Sequence, residues 1–243
     1  MEMVVGKRKH KMTDKTDSTD DFALRRQAGK QNAGRFQEKS ESSGKPLDWF
    51  EDLYDAAQGD VAKVPWAGNP HKALVEWLSQ NPQPKGLMAL DVGCGLGDNA
   101  LALHEAGYKT TAFDVSNTAV EWAKKRHKND EIVFQQADLF NPPSEWIEGF
   151  DFVHETYTIQ ALKGELRAAA FEKVAQLVKP GGSLLVICRS IADGVAPSGP
   201  PWPISPTEVS AFDAYLSVES FEEIEAVGER TIPHFRILYK KKI

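Results

Sequence analysis

One stretch constrains the fold of this chain more than any other: residues 87–99, with the sequence LMALDVGCGLGDN, in which an apolar run breaks into spaced glycines. The run is short and aliphatic, which predicts a buried strand of a parallel sheet. Gly93, Gly95 and Gly97 lack a Cβ, so the backbone can turn sharply there and approach a ligand. A helix predicted from residue 99 would point its free amides at that ligand. A strand, a glycine turn and a helix in this order predict a nucleotide-type cofactor site.

The glycine spacing indicates the class of cofactor. A dinucleotide fingerprint is G-x-G-x-x-G, with its third glycine three residues after the second. In this chain the third glycine comes two residues after the second, and Asp98 stands where that fingerprint has Gly or Ala. A carboxylate fits poorly beside a pyrophosphate. It fits better beside a cofactor that has a cationic amino-acid end and no phosphate.

The residues that follow continue the pattern of a ligand-binding α/β fold. A strand predicted over 110–114 ends at Asp114, about twenty residues after the turn, where an acid binds ribose hydroxyls in such folds. A third strand over 132–139 brings Asp138 to its end, where it would accept from an adenine amine or only cap the next segment. Strands then alternate with helices, which predicts a parallel sheet with right-handed crossovers. Two last strands near the C-terminus have a short connection that allows an antiparallel pair.

Several segments occur in the order and spacing of the class I methyltransferases that use S-adenosylmethionine, and the chain resembles that family over residues 86–190. They are residues 91–97, Asp114, Asp138 with Leu139, 154–160 and 179–182. Other segments resemble the thiopurine methyltransferase-like branch, which also includes halide/thiol methyltransferases and tellurite-resistance-type proteins. They are residues 48–54, 64–66, 199–203 and 234–239. The resemblance implies S-adenosylmethionine as cofactor and a Rossmann-like α/β fold, a mostly parallel seven-stranded sheet with helices on both faces and a C-terminal antiparallel hairpin.

The resemblance and the residue chemistry together predict the cofactor-binding residues. Asp91 lies in an apolar strand, where an unpaired charge is costly, so we expect it to bond to turn amides or to the cofactor's ammonium group. Asp114 is expected to accept from both ribose hydroxyls. The full predicted set is Asp91, Gly93, Cys94, Gly95, Gly97, Asp114, Val115, Asp138, Leu139 and Glu155.

Three candidate catalytic residues end the predicted fourth strand and would face the crevice at the carboxyl edge of the sheet: His154, Glu155 and Tyr157. Glu155 is expected to contact the methionine end of the cofactor or to act as a base. Tyr157 is expected to line the acceptor pocket, and His154 to be either a base or a structural residue. A soft acceptor such as a thiolate or halide needs no general base. No role is assigned to the remaining histidines, which are His10, His71, His104, His127 and His234.

The acceptor pocket is expected on segments inserted around the regular scaffold, because binding residues collect on such loops. These segments are residues 49–66, 155–160 and 191–203. Trp66 and Trp202 lie on proline-rich loops, where each would either form an apolar wall of the site or pack within its own loop.

Residues 1–45 are rich in Lys, Asp, Ser, Thr and Gln and have few large apolar side chains. This composition buries too little surface to offset chain entropy, so we expect a mobile polar N-terminal tail, followed by a methyltransferase domain over residues 46–243. The basic cluster at residues 7–11 is expected to be a solvated tail, a localisation signal or a tether to an anionic surface. Deleting residues 1–40 would then change thermal stability little.

Composition limits the partners. The formal net charge is −6 and the basic cluster lies near the N-terminus, so the rest of the chain is more acidic still, which argues against nucleic acid as the main partner. No His, Cys, Asp and Glu set has metal-ligand spacing, and no apolar run is long enough for a bilayer. No signal peptide is recognisable, and Cys94 and Cys188 are expected to be reduced thiols. We therefore expect a cytoplasmic monomer that binds no metal and no membrane.

The sequence thus predicts an enzyme that transfers a methyl group from S-adenosylmethionine to a small-molecule acceptor, by in-line displacement in a desolvated pocket. The acceptor atom stays open at this point: S, O, N or halide. One alternative is a protein or RNA methyltransferase that docks through the basic N-terminal cluster. The other is a non-catalytic regulator that binds the cofactor.

Overall fold

Seven strands form a single sheet in the computed structural model, which describes residues 19–82, 84–128, 131–197, 201–226 and 232–243. The strands are β1 (Met88–Val92), β2 (Lys109–Asp114), β3 (Val133–Gln136), β4 (Phe150–Thr156), β5 (Val178–Arg189), β6 (Ser217–Ala226) and β7 (Ile232–Lys240). Their spatial order is β3-β2-β1-β4-β5-β7-β6. The first five strands run parallel, and β7 lies antiparallel between β5 and β6. The predicted mostly parallel sheet with a C-terminal antiparallel pair is confirmed.

Helices pack on both faces of this sheet, as predicted. They are α1 (Thr19–Ser42), α2 (Asp48–Ala57), α3 (Lys72–Gln80), α4 (Asp98–Glu105), α5 (Asn117–His127), α6 (Gly164–Leu177) and α7 (Pro206–Val209). Successive side chains of a strand point to opposite faces. Leu90 and Val153 therefore join a hydrophobic cluster with α6, whereas Ala89 and Phe152 join a second cluster with α3 and α4. Burial on both faces explains why the parallel strands are apolar without alternation.

The strand order reverses at β1, and this position determines where a ligand can bind. β2 pairs with one side of β1 and β4 pairs with the other side. The segments that leave the carboxyl ends of β1 and β4 therefore diverge, and a crevice forms between them. The glycine turn at residues 93–97 leaves β1 at this crevice, and α4 begins directly after it.

The N-terminal helix α1 packs on α2 and on a 3-10 turn through small and charged residues. A Cβ at Gly29 would lie 2.1 Å from the Lys63 carbonyl oxygen, so only glycine permits this close approach. Arg25 Nη1 lies 3.0 Å from each carboxylate oxygen of Asp60. The Arg26 guanidinium donates to two backbone carbonyls of the loop that follows the turn.

This placement corrects the expectation of a mobile polar tail up to residue 45. α1 buries Ala33, Gln37 and Ser40 at intervals of three and four residues. Gln37 Nε2 also donates to the Ala161 carbonyl oxygen at 3.2 Å. Small and polar side chains make these contacts, so neither composition nor apolar periodicity indicated them. The basic cluster at residues 7–11 lies outside the described residues.

One strand is shorter than predicted: β3 ends at Gln136, so Asp138 belongs to the loop after the strand. Within the described ranges, no helix combines the length and the apolar character needed to cross a bilayer.

Candidate functional site

A cavity of about 310 Å³ opens at the carboxyl edge of the parallel strands. Residues that follow β1, β2, β3 and β4 line it, together with Arg189 at the end of β5. Residues of α1, of α2 and of the loop at 65–71 also line it, as do Leu47, Leu162 and Pro201, the last in the third expected pocket segment. Three residues of α1 line the cavity: Lys30, Ala33 and Gln37. From composition we had expected them to belong to a mobile tail.

The turn after β1 has a backbone that favours glycine. Gly93, Gly95 and Gly97 have φ angles of 61°, 52° and 79°, in the left-handed region that other residues rarely adopt. A Cβ at Gly95 would in addition lie 2.7 Å from Tyr54 Oη. Gly93 and Cys94 line the cavity. Gly95 and Gly97 do not line the cavity, but their positive φ angles determine the shape of the turn.

Asp114 links this turn to the end of β2. Its Oδ2 accepts from the Gly95 amide at 2.9 Å, and its Oδ1 accepts from the Ser116 amide at 2.9 Å. The side chain is buried at the cavity, and this burial raises the pKa of Asp114 to about 6. Each carboxylate oxygen has a further lone pair, so Asp114 can still accept from a ligand.

The predicted adenine end of the site also lies on the cavity. Val115, Asp138 and Leu139 line it together with Phe113, which gives apolar surface beside a carboxylate. Asp138 Oδ1 accepts from the Phe140 amide at 2.9 Å, so Asp138 does cap the turn after β3. Its contact with adenine stays a prediction.

Asp91 and His154 form a buried pair between β1 and β4. Asp91 Oδ1 lies 2.8 Å from His154 Nδ1, and His154 Nε2 lies 2.8 Å from Thr156 Oγ1. Asp91 therefore bonds to a histidine of the neighbouring strand and not to the turn amides that we expected. Thr156 lines the cavity, whereas His154 is fully buried behind it. This arrangement favours the structural interpretation of His154.

The placement of Glu155 corrects its predicted role. Glu155 Oε1 accepts from the amides of Thr158 and Ile159 at 2.8 and 3.1 Å. Burial raises its pKa to about 7. Side chains alternate along β4, so Glu155 points away from Thr156 and is not among the residues that line the cavity. Its carboxylate caps the 3-10 turn Ile159–Ala161.

Tyr157 lines the cavity, and its hydroxyl contacts two histidines. Tyr157 Oη lies 2.9 Å from His71 Nε2 and 2.6 Å from His234 Nε2. The Arg189 guanidinium carbon lies 5.8 Å from the centre of the Tyr157 ring. Tyr157 itself has a φ of 70°, which is unusual for a bulky residue.

Sequence reasoning assigned no role to His71, Arg189 or His234. His71 is the N-cap of α3, Arg189 ends β5 and His234 lies in β7, so no motif or local spacing connects them. The antiparallel register places Arg189 directly opposite His234, and that register follows from the pairing of β5 with β7. Only the position of Arg189 at the carboxyl end of a predicted strand was a usable signal.

The two loop tryptophans differ in position. Trp66 lines the cavity and donates from Nε1 to Tyr54 Oη at 2.9 Å. Trp202 does not line it; the Lys163 ammonium lies 4.5 Å from the centre of its ring. Trp66 is therefore an apolar wall of the site, and Trp202 packs locally. Residues 198–200 of the third expected pocket segment lie outside the described residues.

Charges are unevenly distributed along the cavity. Asp114 ends β2 and Asp138 follows β3, at one side of the strand reversal, and Arg189 lies at the other side. Within the described part of the chain, no carboxylate forms an ion pair with Arg189, and its buried Nε has no hydrogen-bond partner. Asp98, which also lines the cavity, is neutralised by Arg126 at 2.8 Å.

These residues fit S-adenosylmethionine. The glycine turn admits a ligand, Asp114 and Asp138 offer acceptors for ribose and adenine, and Leu139 offers apolar surface. Cys94 lines the same region, and burial raises the pKa of its thiol well above the ordinary value, so the thiol stays protonated. No group of three His, Cys, Asp or Glu side chains in the described ranges has the arrangement of a metal site.

Comparisons with known proteins support the same cofactor. Over residues 89–182 the chain matches the family described as a methyltransferase domain. A thiocyanate methyltransferase of Arabidopsis thaliana is 28% identical, over 70% of this chain and 73% of that protein. A cypemycin N-terminal methyltransferase of a Streptomyces species is 28% identical over 51% of this chain, and the match spans only 51% of that relative.

The fold has solved counterparts as well. The N-methyltransferase NodS of Bradyrhizobium japonicum, in complex with S-adenosyl-L-homocysteine, aligns with a TM-score of 0.61 over 79% of this chain and 98% of that one. The sequence identity is 16%, so this likeness concerns the fold.

Proposed function

The chain belongs to the class I S-adenosylmethionine-dependent methyltransferases, and we propose that it methylates a small molecule whose reacting atom is an anion or becomes one, such as a thiol. Methyl transfer to small molecules is the activity that the family membership and the relatives support. Our proposal further specifies that the reacting atom of the acceptor is negatively charged when it is methylated.

The observation that carries the proposal is the separation of charge in the cavity. β2 and β5 are three strand spacings apart, which is about 14 Å at the edge of a sheet. The acids that suit ribose and adenine therefore lie far from Arg189. A guanidinium that has no carboxylate partner in the described chain, beside an aromatic ring, is a site for an anion.

The chain's own residues provide orientation and exclusion of water. The turn at residues 93–94 with Asp114 and Asp138 would hold the cofactor, which supplies an electrophilic methyl group on a sulfonium when it is bound. Trp49, Phe50 and Trp66 line the cavity as apolar walls and keep water away from the acceptor. Alignment of two reactants in such a pocket lowers a barrier by roughly 7–11 kcal/mol at best.

The relatives are consistent with this acceptor class but do not decide it. The Arabidopsis relative is named for an anion, thiocyanate, and the Streptomyces relative for an N-terminus, which is an amine. A guanidinium at the acceptor end of the cavity disfavours a cationic ammonium and favours a thiocyanate, hydrosulfide or thiol. The anionic class is therefore the better fit to this chain.

The test measures S-adenosylhomocysteine formed by the purified full chain with thiocyanate, hydrosulfide, an aromatic thiol, a phenol and a primary amine. We expect turnover of the sulfur acceptors to exceed that of the amine at least tenfold. The variant Arg189→Gln should raise the KM of thiocyanate about tenfold, while the Kd of S-adenosylhomocysteine changes less than threefold. Lys163→Gln removes a cation outside the cavity and is the matched control, expected to change neither constant.

Turnover of the amine alone, or an unchanged KM in Arg189→Gln, would contradict the anionic acceptor. Methylation of proteins or RNA in a lysate, lost when residues 2–18 are deleted, would instead support the docking alternative. Tight binding of S-adenosylhomocysteine without turnover of any acceptor would support a regulator.

A further inference from the structure

We propose that Tyr157 takes the proton of the acceptor's reacting atom and passes its own proton to His234, while His71 holds the phenol in place; this proposal rests on the proposed function. Tyr157 touches the acceptor and is the catalytic residue of this relay. His234 acts through Tyr157, and His71 positions it.

The three side chains come together from distant parts of the sheet edge. His71 is the N-cap of α3, Tyr157 follows β4 and His234 lies in β7. Tyr157 and His71 line the cavity, whereas His234 is almost fully buried behind them. The Tyr157 hydroxyl therefore connects His234 with the cavity.

The backbone contact of His234 determines its tautomer. His234 Nδ1 lies 2.8 Å from the carbonyl oxygen of Ile232, which can only accept, so Nδ1 carries the hydrogen. Burial lowers the pKa of His234, and the neutral ring therefore has a free lone pair on Nε2. That nitrogen lies 2.6 Å from Tyr157 Oη, so the tyrosine donates to it.

His71 has the opposite tautomer. The Ala73 amide donates to His71 Nδ1 at 3.2 Å, at the start of α3, so this nitrogen is the acceptor. Burial and the neighbouring His234 lower the pKa of His71 to about 3, so the ring is neutral and Nε2 carries its hydrogen. His71 Nε2 then donates to Tyr157 Oη at 2.9 Å. The bonds run in one direction, from His71 to Tyr157 to His234.

The backbone of Tyr157 indicates that its position is strongly determined. A φ of 70° in a non-glycine residue is strained and persists only where the surroundings impose it. Two hydrogen bonds to the hydroxyl and the Arg189 guanidinium beside the ring are such surroundings. Residues held in this way cluster at functional sites.

The chemical step balances without a further reactant. The acceptor forms its bond to the methyl carbon while the sulfur–carbon bond of the donor breaks. The proton of the acceptor moves to Tyr157 Oη, and the Tyr157 proton moves to His234 Nε2, which leaves a neutral tyrosine and a cationic His234. After product release the two transfers reverse, and the proton leaves to water through Tyr157.

The relay matters only for an acceptor that carries a proton, and this gives a matched pair of acceptors. Thiocyanate is an anion with no proton to remove. An alkyl thiol is mostly protonated at pH 7, as a free cysteine thiol with a pKa of about 8.5 is. Tyr157→Phe should lower kcat for the thiol about a hundredfold, the range of a lost general base, and change kcat for thiocyanate less than threefold.

Raising the pH separates the relay from a structural role. In Tyr157→Phe, thiol turnover should rise about tenfold per pH unit between pH 6.5 and the thiol pKa, because the thiolate then forms without the relay. The parent should be nearly flat over that range. The groups that face the relay are Arg189 and Cys188 of β5 and His154 of β4. An equal loss for both acceptors, or no rise with pH, would overturn the proposal.

Two histidine variants test the direction of the relay. His234→Gln keeps a hydrogen-bond acceptor for Tyr157 but cannot take a proton, so thiol turnover should fall as far as in Tyr157→Phe. His71→Gln keeps an N–H donor and should lose less than fivefold. His104→Gln, outside the cavity, is the control for a histidine change as such. Equal losses in His71→Gln and His234→Gln would contradict a directional relay.

A readout without turnover separates this proposal from the proposed function. Nitrogen-15 NMR of histidine-labelled, cofactor-free protein should show His234 protonated at Nδ1 and His71 protonated at Nε2, and Tyr157→Phe should shift both Nε2 resonances. If the parent methylates no tested acceptor, the proposed function fails. The tautomers of His71 and His234 can still be measured, and they test the direction of the hydrogen bonds on which the relay depends. The opposite tautomer in either ring would overturn it.

Discussion

The affinity for S-adenosylhomocysteine should depend on the protonation of Asp114, and the structure gives the size of this effect. Both carboxylate oxygens already accept one backbone amide, and burial raises the pKa to about 6 from the ordinary value of 3.8. Ribose hydroxyls would bind the ionised carboxylate through charge-assisted hydrogen bonds, which the protonated acid makes more weakly.

The magnitude follows from the ionised fraction. With a pKa of about 6, roughly one Asp114 in eleven is ionised at pH 5, and more than nine in ten are ionised at pH 7.5. If binding requires the carboxylate, the Kd should rise about tenfold from pH 7.5 to pH 5, which is ~1.4 kcal/mol. Isothermal titration calorimetry at the two pH values measures this directly.

Two variants make the assay specific. Asp114→Asn should bind at least tenfold more weakly at pH 7.5 and lose most of the pH dependence. Glu155 also titrates in this range, with a pKa of about 7, but does not line the cavity. Glu155→Gln should therefore retain the tenfold change. The reasoning fails if Asp114→Asn keeps that change, because the titrating group would then be a different one.

The same shift has a consequence for stability. Because the folded-state pKa of Asp114 is raised, its contribution to the stability of the cofactor-free protein is present below about pH 4 and lost as the pH rises through about 6. A ligand that bonds to the carboxylate should offset this loss. The increase in Tm on adding S-adenosylhomocysteine should thus be larger at pH 7.5 than at pH 5.

Two pairs of glycine substitutions give further predictions. Gly29→Ala should lower Tm, since the new Cβ would lie 2.1 Å from the Lys63 carbonyl oxygen. Gly34→Ala, in the same helix but with open space around it, should raise the free energy of unfolding by about 0.5–1 kcal/mol. Similar melting curves for the two variants would mean that α1 does not dock. Gly95→Ala should weaken S-adenosylhomocysteine binding at least tenfold by displacing Tyr54. Gly164→Ala, at a glycine with an equally positive φ and no neighbour within 4 Å, should leave binding unchanged. Equal affinities of the two variants would show that Gly95 does not belong to the binding site.

The sequence alone was sufficient for the fold class and for the position of the glycine turn and of Asp114 at the carboxyl edge of the sheet. Strands and helices that alternate can only pair in parallel through crossovers, and this places the glycine turn and the acids after β2 and β3 at one edge. Gly93, Asp114 and Asp138 were therefore predictable from their position in the pattern. The signal is local, because each residue lies at the end of its own strand or within two residues after it.

The N-terminal helix was not predictable in this way. A prediction from composition treats a polar segment as a tail, because such a segment has little apolar surface to bury. α1 docks instead through the absence of a side chain at Gly29 and through Arg25 and Arg26, which bond to Asp60 and to backbone carbonyls. Only the tertiary structure supplies those partners.

The cluster of Tyr157 with His71 and His234 depended on tertiary structure for the same reason. His71, Tyr157 and His234 are separated by 86 and 77 positions along the chain. Tyr157 and His234 lie in segments that carry the family resemblance, but no local pattern connects either of them with His71. Glu155, predicted beside Tyr157, is not among the residues that line the cavity. The alternation of side chains along β4 and the pairing of β5 with β7 decide which groups meet. Those two features follow from the assembled sheet, since strand pairing joins residues that no local pattern connects.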